Sequence, residues 1–151
     1  VGRASNNTFS GNTLYKNNTL GPDGVGRYFS GNGVGEIWVQ FGANNRLVHN
    51  LVYAGSPDVF IASYEPGENP PNVFDYNLYF SETNGLTDGA FGDHGTFHTG
   101  LASWQAGSGQ DAHSIGADPL LADPGQGDFH IDAASPAVDA GDPAFVADPN
   151  E

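Results

Sequence analysis

The sequence predicts an all-β fold of the solenoid kind, in which short strands recur at an interval and stack on their own copies. Three observations predict it. The first is internal repetition: Asn45 to Tyr53 (Asn-Arg-Leu-Val-His-Asn-Leu-Val-Tyr) recurs as Asn72 to Phe80 (Asn-Val-Phe-Asp-Tyr-Asn-Leu-Tyr-Phe), and a degenerate version stands earlier as Asn7 to Tyr15. In each copy two asparagines lie five apart and an apolar residue follows two places after each, and self-similarity of this kind outranks local propensity as a guide to fold. The second is composition: 22 Gly, 10 Pro and 14 Asn punctuate short bursts of Val, Ile, Phe, Tyr and Thr, the pattern of strands between turns. The third is that no ten-residue stretch free of Gly and Pro carries helical apolar spacing, which leaves a solenoid or a sandwich as the class.

The 151 residues correspond to one domain by length, with room for one core. The net charge of −14 conceals an uneven distribution. Residues 1–57 hold all four basic residues (Arg3, Lys16, Arg27, Arg46) against Asp23 and Glu36, whereas residues 58–151 hold sixteen acids and no Lys or Arg. Such a field excludes a nucleic-acid partner, which needs clustered cations to meet phosphate. It suits divalent cations, a saline medium or plain solvation. With no cysteine, neither disulfides nor thiolate metal sites are available. No apolar run reaches membrane-spanning length, so membrane insertion is not expected. The chain opens at Val1 without an initiator Met or a leader pattern, and reads as a mature product or a fragment.

Taken in order, the degenerate repeat is followed by Asn17-Asn18 and the turn Gly21-Pro-Asp-Gly24. Tyr28 to Val34 echoes Thr8 to Leu14 and hints at a further copy. Ile37 to Phe41 is a strand pattern, Asn44-Asn45 a turn, and Leu47 to Tyr53 the next strand. Val59 to Ala62 begins 22 residues after Ile37, while Asn72 lies 27 after Asn45 because Glu65 to Pro71 lengthens one loop. Stacked parallel strands ~4.8 Å apart would place Ile37, Val39 and Phe41 on Val59 and Ile61. The asparagines are expected at sharp corners, where Asn tolerates a left-handed backbone and stacked amides can bond along the stack. Residues 81–100 are a polar, glycine-rich loop, long enough to be functional. Leu101 to Ala106 is expected to form one helical turn with Trp104 plugging the end, and the Asp-Pro steps at 118, 123, 142 and 148 suit an irregular cap.

Several of these stretches carry a resemblance. Trp104-Gln105, Gly109-Gln-Asp-Ala-His-Ser114, Asp118-Pro-Leu-Leu-Ala-Asp-Pro124, Gly127-Asp-Phe-His-Ile131 and Ser135-Pro-Ala-Val-Asp-Ala-Gly141 together resemble the C-terminal end of right-handed parallel β-helix repeat proteins. The resemblance spans roughly residues 5–143 and implies an all-β, right-handed parallel β-helix (solenoid) with an irregular C-terminal cap. Residues 1–80 would be its coils, and 81–151 the long loop and capping segment of the same domain. It also implies an extracellular or cell-surface location. Members of the family include polysaccharide lyases, glycoside hydrolases and large surface proteins. The lyases depend on Lys or Arg in a groove, often with calcium; here Lys16, Arg3, Arg27 and Arg46 all lie early, with no catalytic motif around them.

Asp93, His94 and His98 place a carboxylate and two imidazoles within six residues, a set able to hold a metal or relay a proton. Asp58, Glu65 and Asp75 (with Glu68) lie in or beside one variable loop, where two carboxylates roughly 5 to 9 Å apart would act on a glycosidic bond. Tyr64, Tyr76 and Tyr79 are candidate sugar-stacking platforms. Asp139, Asp142 and Asp148 are candidate oxygen ligands for calcium, the one cofactor the sequence offers a place for. The reading is the C-terminal part of an extracellular β-helix protein acting as a scaffold or carbohydrate-binding surface, not catalytic alone. Its alternatives are a polysaccharide lyase or glycoside hydrolase using the acidic loops or upstream coils, and a subunit that self-associates, or continues into further coils, at an open N-terminal edge.

Overall fold

The computed structural model describes residues 4–17, 35–39, 42–55, 59–63, 70–82, 90–93 and 96–145. The echo at Tyr28 to Val34 and the inward position expected for Phe41 lie outside them.

The three copies lie side by side. β1 (Thr8–Ser10), β4 (Arg46–Val48) and β7 (Val73–Asp75) pair in parallel, Phe9 beside Leu47 beside Phe74. β2 (Thr13–Tyr15), β5 (Leu51–Ala54) and β8 (Leu78–Ser81) do the same, Leu14 beside Val52 beside Tyr79, and the short β11 (Ile115–Gly116) adds to β8. The third sheet joins β3 (Ile37–Val39), β6 (Val59–Ser63) and β9 (Ala90–Asp93) in parallel, and β10 (Thr96–Thr99) then pairs with β9 antiparallel. A fourth sheet is the antiparallel pair β12 (Leu121–Asp123) and β13 (Asp128–Ile131), joined by a 3-10 turn at Pro124–Gln126.

This arrangement corrects the expected fold class. The all-β, right-handed parallel β-helix with an irregular cap is replaced by a predominantly β structure of four separate short sheets, two of them containing antiparallel pairs, plus one α-helix. No closed coil is traced by the described residues. Part of the physical reason is local: positive-φ residues at Gly11, Lys16, His49 and Tyr76 directly follow β1, β2, β4 and β7 and end them after three residues, since a left-handed residue cannot continue a pleat. The strand register also differs from expectation. Ile37 pairs with Ile61 and Val39 with Ser63, two places further on than Val59. A bulge between Val59 and Ile61 breaks the inward–outward alternation, which is why Phe60 and Ile61 are both fully buried in an unbroken apolar run.

Three registered columns, Leu47–Phe74, Leu14–Val52–Tyr79 and Ile37–Ile61–Phe91, converge on one core. Side chains of this size each contribute about 1.5–3 kcal/mol when removed from water. The helix α1 (Leu101–Ser108), two turns where one was expected, lays Trp104 on this core. Its ring stacks on Phe91 at 5.5 Å and meets Phe74 edge-on at 6.2 Å. The sheet of β2, β5 and β8 is buried on its other face too. There Tyr15, Tyr53 and Phe80 form a second column with ring centroids 4.8 Å apart, against which Leu121 and Ala137 of the C-terminal segment pack. At the edge of that column Glu82 bonds Lys16 Nζ at 2.6 Å and accepts from Tyr53 Oη at 2.7 Å.

The corners are joined by two amide ladders. Asn7 donates to Asn45 Oδ1, and Asn45 to Asn72 Oδ1, through both backbone and side-chain N–H groups at 2.9–3.1 Å. Asn12, Asn50 and Asn77 repeat the pattern at 3.0–3.1 Å. The left-handed conformation falls on the residue before the asparagine, Asn6, Gly11, Asn44, His49 or Tyr76, and not on the ladder asparagine itself. The second ladder ends in the Gly109 to Ser114 stretch, and the same stretch bonds the strand that follows Asn72. Gln110 accepts from Phe74 N–H and donates to the Asn72 carbonyl. Asp111, buried, accepts from Asn77 Nδ2, Tyr79 Oη, Trp104 Nε1 and Ser114 Oγ. Burial raises the Asp111 carboxyl above the ordinary range, and these four donors counter only part of that rise.

Two outcomes follow from the ladders. Asn50→Ala strands the N–H groups of Asn12 and the carbonyls of Phe9 and Val48 that Asn50 now satisfies, and is expected to cost about 3 kcal/mol in urea unfolding. For Asp111, a carboxyl raised in the fold favours folding below its unfolded value, and that gain is lost as pH rises through the folded value. Wild-type stability should therefore fall as pH rises out of the ordinary carboxylate range, and urea midpoints of Asp111→Asn should lack that component.

Candidate functional site

The corner preceding the second ladder carries the most chemistry on the molecular surface. The residue just before each second asparagine is left-handed, so its side chain leaves the strand direction and projects from the corner: Gly11 in the first copy, His49 in the second, Tyr76 in the third. His113 continues the row from the segment that ends the second ladder. The His49 and Tyr76 ring centroids are 5.6 Å apart, and Tyr76 and His113 stack nearly parallel at 4.6 Å.

Asp75 holds the outer ring of the row. Its Oδ1 accepts from the backbone N–H of Tyr76 (3.0 Å) and of His113 (2.8 Å), and its Oδ2 lies 2.8 Å from His113 Nδ1. Burial alone would raise this carboxyl, but the bonds from the His113 ring, the His113 backbone and the Tyr76 backbone outweigh it and hold the group below its usual value. An ionised carboxylate accepts only, so Nδ1 of His113 is the donor and Nε2 of the neutral ring is left as an acceptor on an exposed side chain. At the other end of the row, His49 Nε2 accepts from the Asp142 backbone N–H at 3.0 Å, which places the neutral ring's proton on Nδ1. Nδ1 is buried without a hydrogen-bond partner among the described residues.

These groups border a groove of about 450 Å³. Besides the three rings it is lined by the registered apolar column Leu51, Leu78 and Ile115, and by Ala137, Asp142 and Phe145 of the C-terminal segment. No Lys or Arg contributes to it among the described residues. The ring faces are occupied by one another, so the row offers the groove its edges: a phenol oxygen and an imidazole nitrogen, donors and acceptors for hydroxyl groups.

Three of the residues singled out from sequence, Asp75, Tyr76 and Asp142, come together here. Tyr76 does so through its edge and not as a stacking face. Tyr79 is corrected: its ring is in the core with its hydroxyl on Asp111, and burial first and Asp111 second push that hydroxyl's pKa far up. It presents no face to a sugar. His98 is likewise a packing residue, its ring 5.6 Å from Trp104 and so close to Gly107 that a Cβ there would overlap it. Asp93 ends β9, and His94 lies outside the described residues, as do Asp58, Tyr64, Glu65 and Asp148. Asp139 is a left-handed turn residue, and Asp142 Oδ1 accepts from Ala144 N–H. Among the described residues no group of three His, Asp or Glu side chains is placed to hold a metal ion. Sequence reasoning missed His49, His113 and Phe145. The first had a signal, since His49 and Tyr76 occupy the same place in their copies, one before the second asparagine.

No family model matches the chain, and no solved structure matches it. It is similar to an uncharacterized protein, YwoF, of Bacillus subtilis (strain 168), with 29% identity over 137 residues, which is 90% of this chain and 26% of that protein. The chain thus spans about a quarter of the length of that relative.

The Asp75–His113 contact yields a pH-dependent outcome. A carboxyl depressed in the fold stabilises above its unfolded value, about 3.9, and loses that stabilisation as pH falls through the folded value. Asp75→Asn should therefore unfold at lower urea than wild type near neutral pH, with the gap closing below about pH 4.

Proposed function

We propose that this segment is a scaffold of an extracellular protein whose corner groove binds a polysaccharide, without catalysing a reaction by itself. The observation that carries the reading is the row His49, Tyr76 and His113. Three rings are brought into a row by the fold, His49 tilted against Tyr76 at 5.6 Å and Tyr76 stacked on His113 at 4.6 Å, and they border a groove over apolar Leu51, Leu78 and Ile115. A repeating array of donors and acceptors beside apolar surface suits a repeating, uncharged ligand rich in hydroxyls. The charge balance supports the same class, because the acids near the row, Asp75 and Asp142, would repel a uronate polymer and no Lys or Arg among the described residues lines the groove to offset them.

Glycosidase chemistry is the weaker reading. It needs two carboxyl groups free to exchange protons across the bond; of the candidates, Asp75 is engaged by His113, and Asp58, Glu65 and Glu68 lie outside the described residues. Self-association has one observation in its favour: among the described residues β1, β2 and β3 are each paired on one side only, and unpaired edges recruit further strands. A concentration-independent monomer in sedimentation would remove it.

Affinity electrophoresis against a panel of neutral and uronate polysaccharides tests the principal reading. Wild type should be retarded by a neutral polymer and not by uronates, with no reducing sugar released. His113→Ala and Tyr76→Phe should each weaken binding about five- to tenfold, the worth of one net hydrogen bond. Absence of retardation across the panel, or variants that bind like wild type, would remove the groove from consideration.

A further inference from the structure

The C-terminal segment that forms one side of the groove is held there by a contact that only a neutral imidazole can make. Asp142 donates its backbone N–H to His49 Nε2 at 3.0 Å, Phe145 meets the His49 ring edge-on at 4.3 Å, and Gly141 lies beside the same ring, near enough that a Cβ there would be in ordinary contact with it. Apart from this corner, the nearer part of the segment rests on the outer column through Ala137. Phe145 remains partly exposed although it is the segment's largest anchor.

From this geometry we infer that residues 139–145 form a strap latched by His49 and released by acid. Once Nε2 carries a proton, both ring nitrogens are donors, and the Asp142 N–H faces a donor in place of a lone pair. The docked strap therefore holds the neutral ring, while the undocked strap lets the ring take a proton. Lowering the pH draws the equilibrium toward the state that binds more protons, which is the undocked one. Histidine is the side chain whose unperturbed charge change falls between about pH 5 and 8.

The titratable groups around the latch come from every side. Tyr76 lies against His49 from the neighbouring corner, with Asp75 and His113 behind it, and Asp139 and Asp142 lie in the strap itself. The two strap carboxylates would follow a charged His49 only if the backbone N–H of Asp142 first moved away, since that N–H occupies the position the new proton needs. Release would remove Asp142 and Phe145 from one side of the groove and widen it. The latch itself does not depend on what the groove binds.

Backbone and imidazole nitrogen NMR of the whole chain, titrated from about pH 8 to about pH 5, tests the inference. The signals of residues 139–145 should lose order in step with the His49 ring titration, and the protection of the Asp142 amide, corrected for intrinsic exchange, should fall about tenfold per pH unit below the midpoint. His49→Gln, whose amide oxygen can accept the same N–H without titrating, should keep the strap ordered throughout. A strap equally ordered at both ends of the titration, or one that follows the His113 ring instead of His49, overturns the latch. So does a folded His49→Gln variant that releases as wild type does. If that variant fails to fold, the coincidence of the His49 and strap midpoints in wild type still decides. Glycan binding enters none of these readouts, so failure of the groove reading and failure of the latch are separable.

Discussion

The structure depends on how its corners satisfy their backbone. A chain that turns sharply after every three to five residues leaves peptide groups outside any strand ladder, and burying them unpaired costs about 1–3 kcal/mol each. The two asparagine ladders solve this at every copy. One Oδ1 accepts two N–H groups from the preceding copy, and one Nδ2 returns bonds to carbonyls and to the following copy. Because each amide both accepts and donates, the ladder has a direction, and each layer fixes the register of the next. The left-handed residue before five of the six ladder asparagines, Asn72 after Pro71 being the exception, is the geometric cost of that arrangement, borne by Asn, Gly, His or Tyr.

A directional ladder must end in a group that accepts without needing a further layer, and a carboxylate or a glutamine oxygen is such a group. Asp111 ends the second ladder, Gln110 beside it meets the backbone of Asn72 and Phe74, and Asp111 is reached at the same time by Trp104 and Tyr79 from the core. Hydrogen-bonded closure and apolar closure therefore coincide: the indole that covers Phe91 is oriented by the carboxylate that stops the ladder. This accounts for the local sequence Gly109 to Ser114 without any catalytic role for Asp111, whose raised carboxyl reflects its burial.

The same corners that solve the backbone problem create the candidate site. A left-handed residue turns its side chain away from the strands, so positions outside the main core line up copy upon copy and carry polar rings. His49, Tyr76 and His113 occupy that line, and Asp75 orients the last of them. The outer column of Tyr15, Tyr53 and Phe80 has a similar spacing but is partly covered by Leu121 and by Phe129, which lies 5.3 Å from Tyr15. Two stacked columns of similar composition thus serve different ends, one as packing and one as surface. What separates them is the path of residues 117–145, which closes over the first and runs beside the second.

The sequence by itself determined that strands would recur with the Asn-x-apolar spacing, that Asn7, Asn45 and Asn72 and their partners five residues on would stack, and that Trp104 would lie over the core. These follow from local periodicity and turn chemistry, which are written in neighbouring residues. It did not determine that Ile37 would pair with Ile61, since Val59, Phe60 and Ile61 are all apolar and give no alternation from which to read a register. Nor did it reveal that Tyr79 would point inward while Tyr76 pointed out, although both follow an asparagine-rich corner. The closed coil expected from the repeat and the family resemblance gave way to separate sheets, because left-handed corners interrupt the strands and the C-terminal residues form a helix and an antiparallel pair. The meeting of His49 with Asp142, 93 residues apart, was decided by tertiary structure alone: a hydrogen bond across that separation leaves no periodic trace in the chain, and exists only once both segments pack on the same sheet.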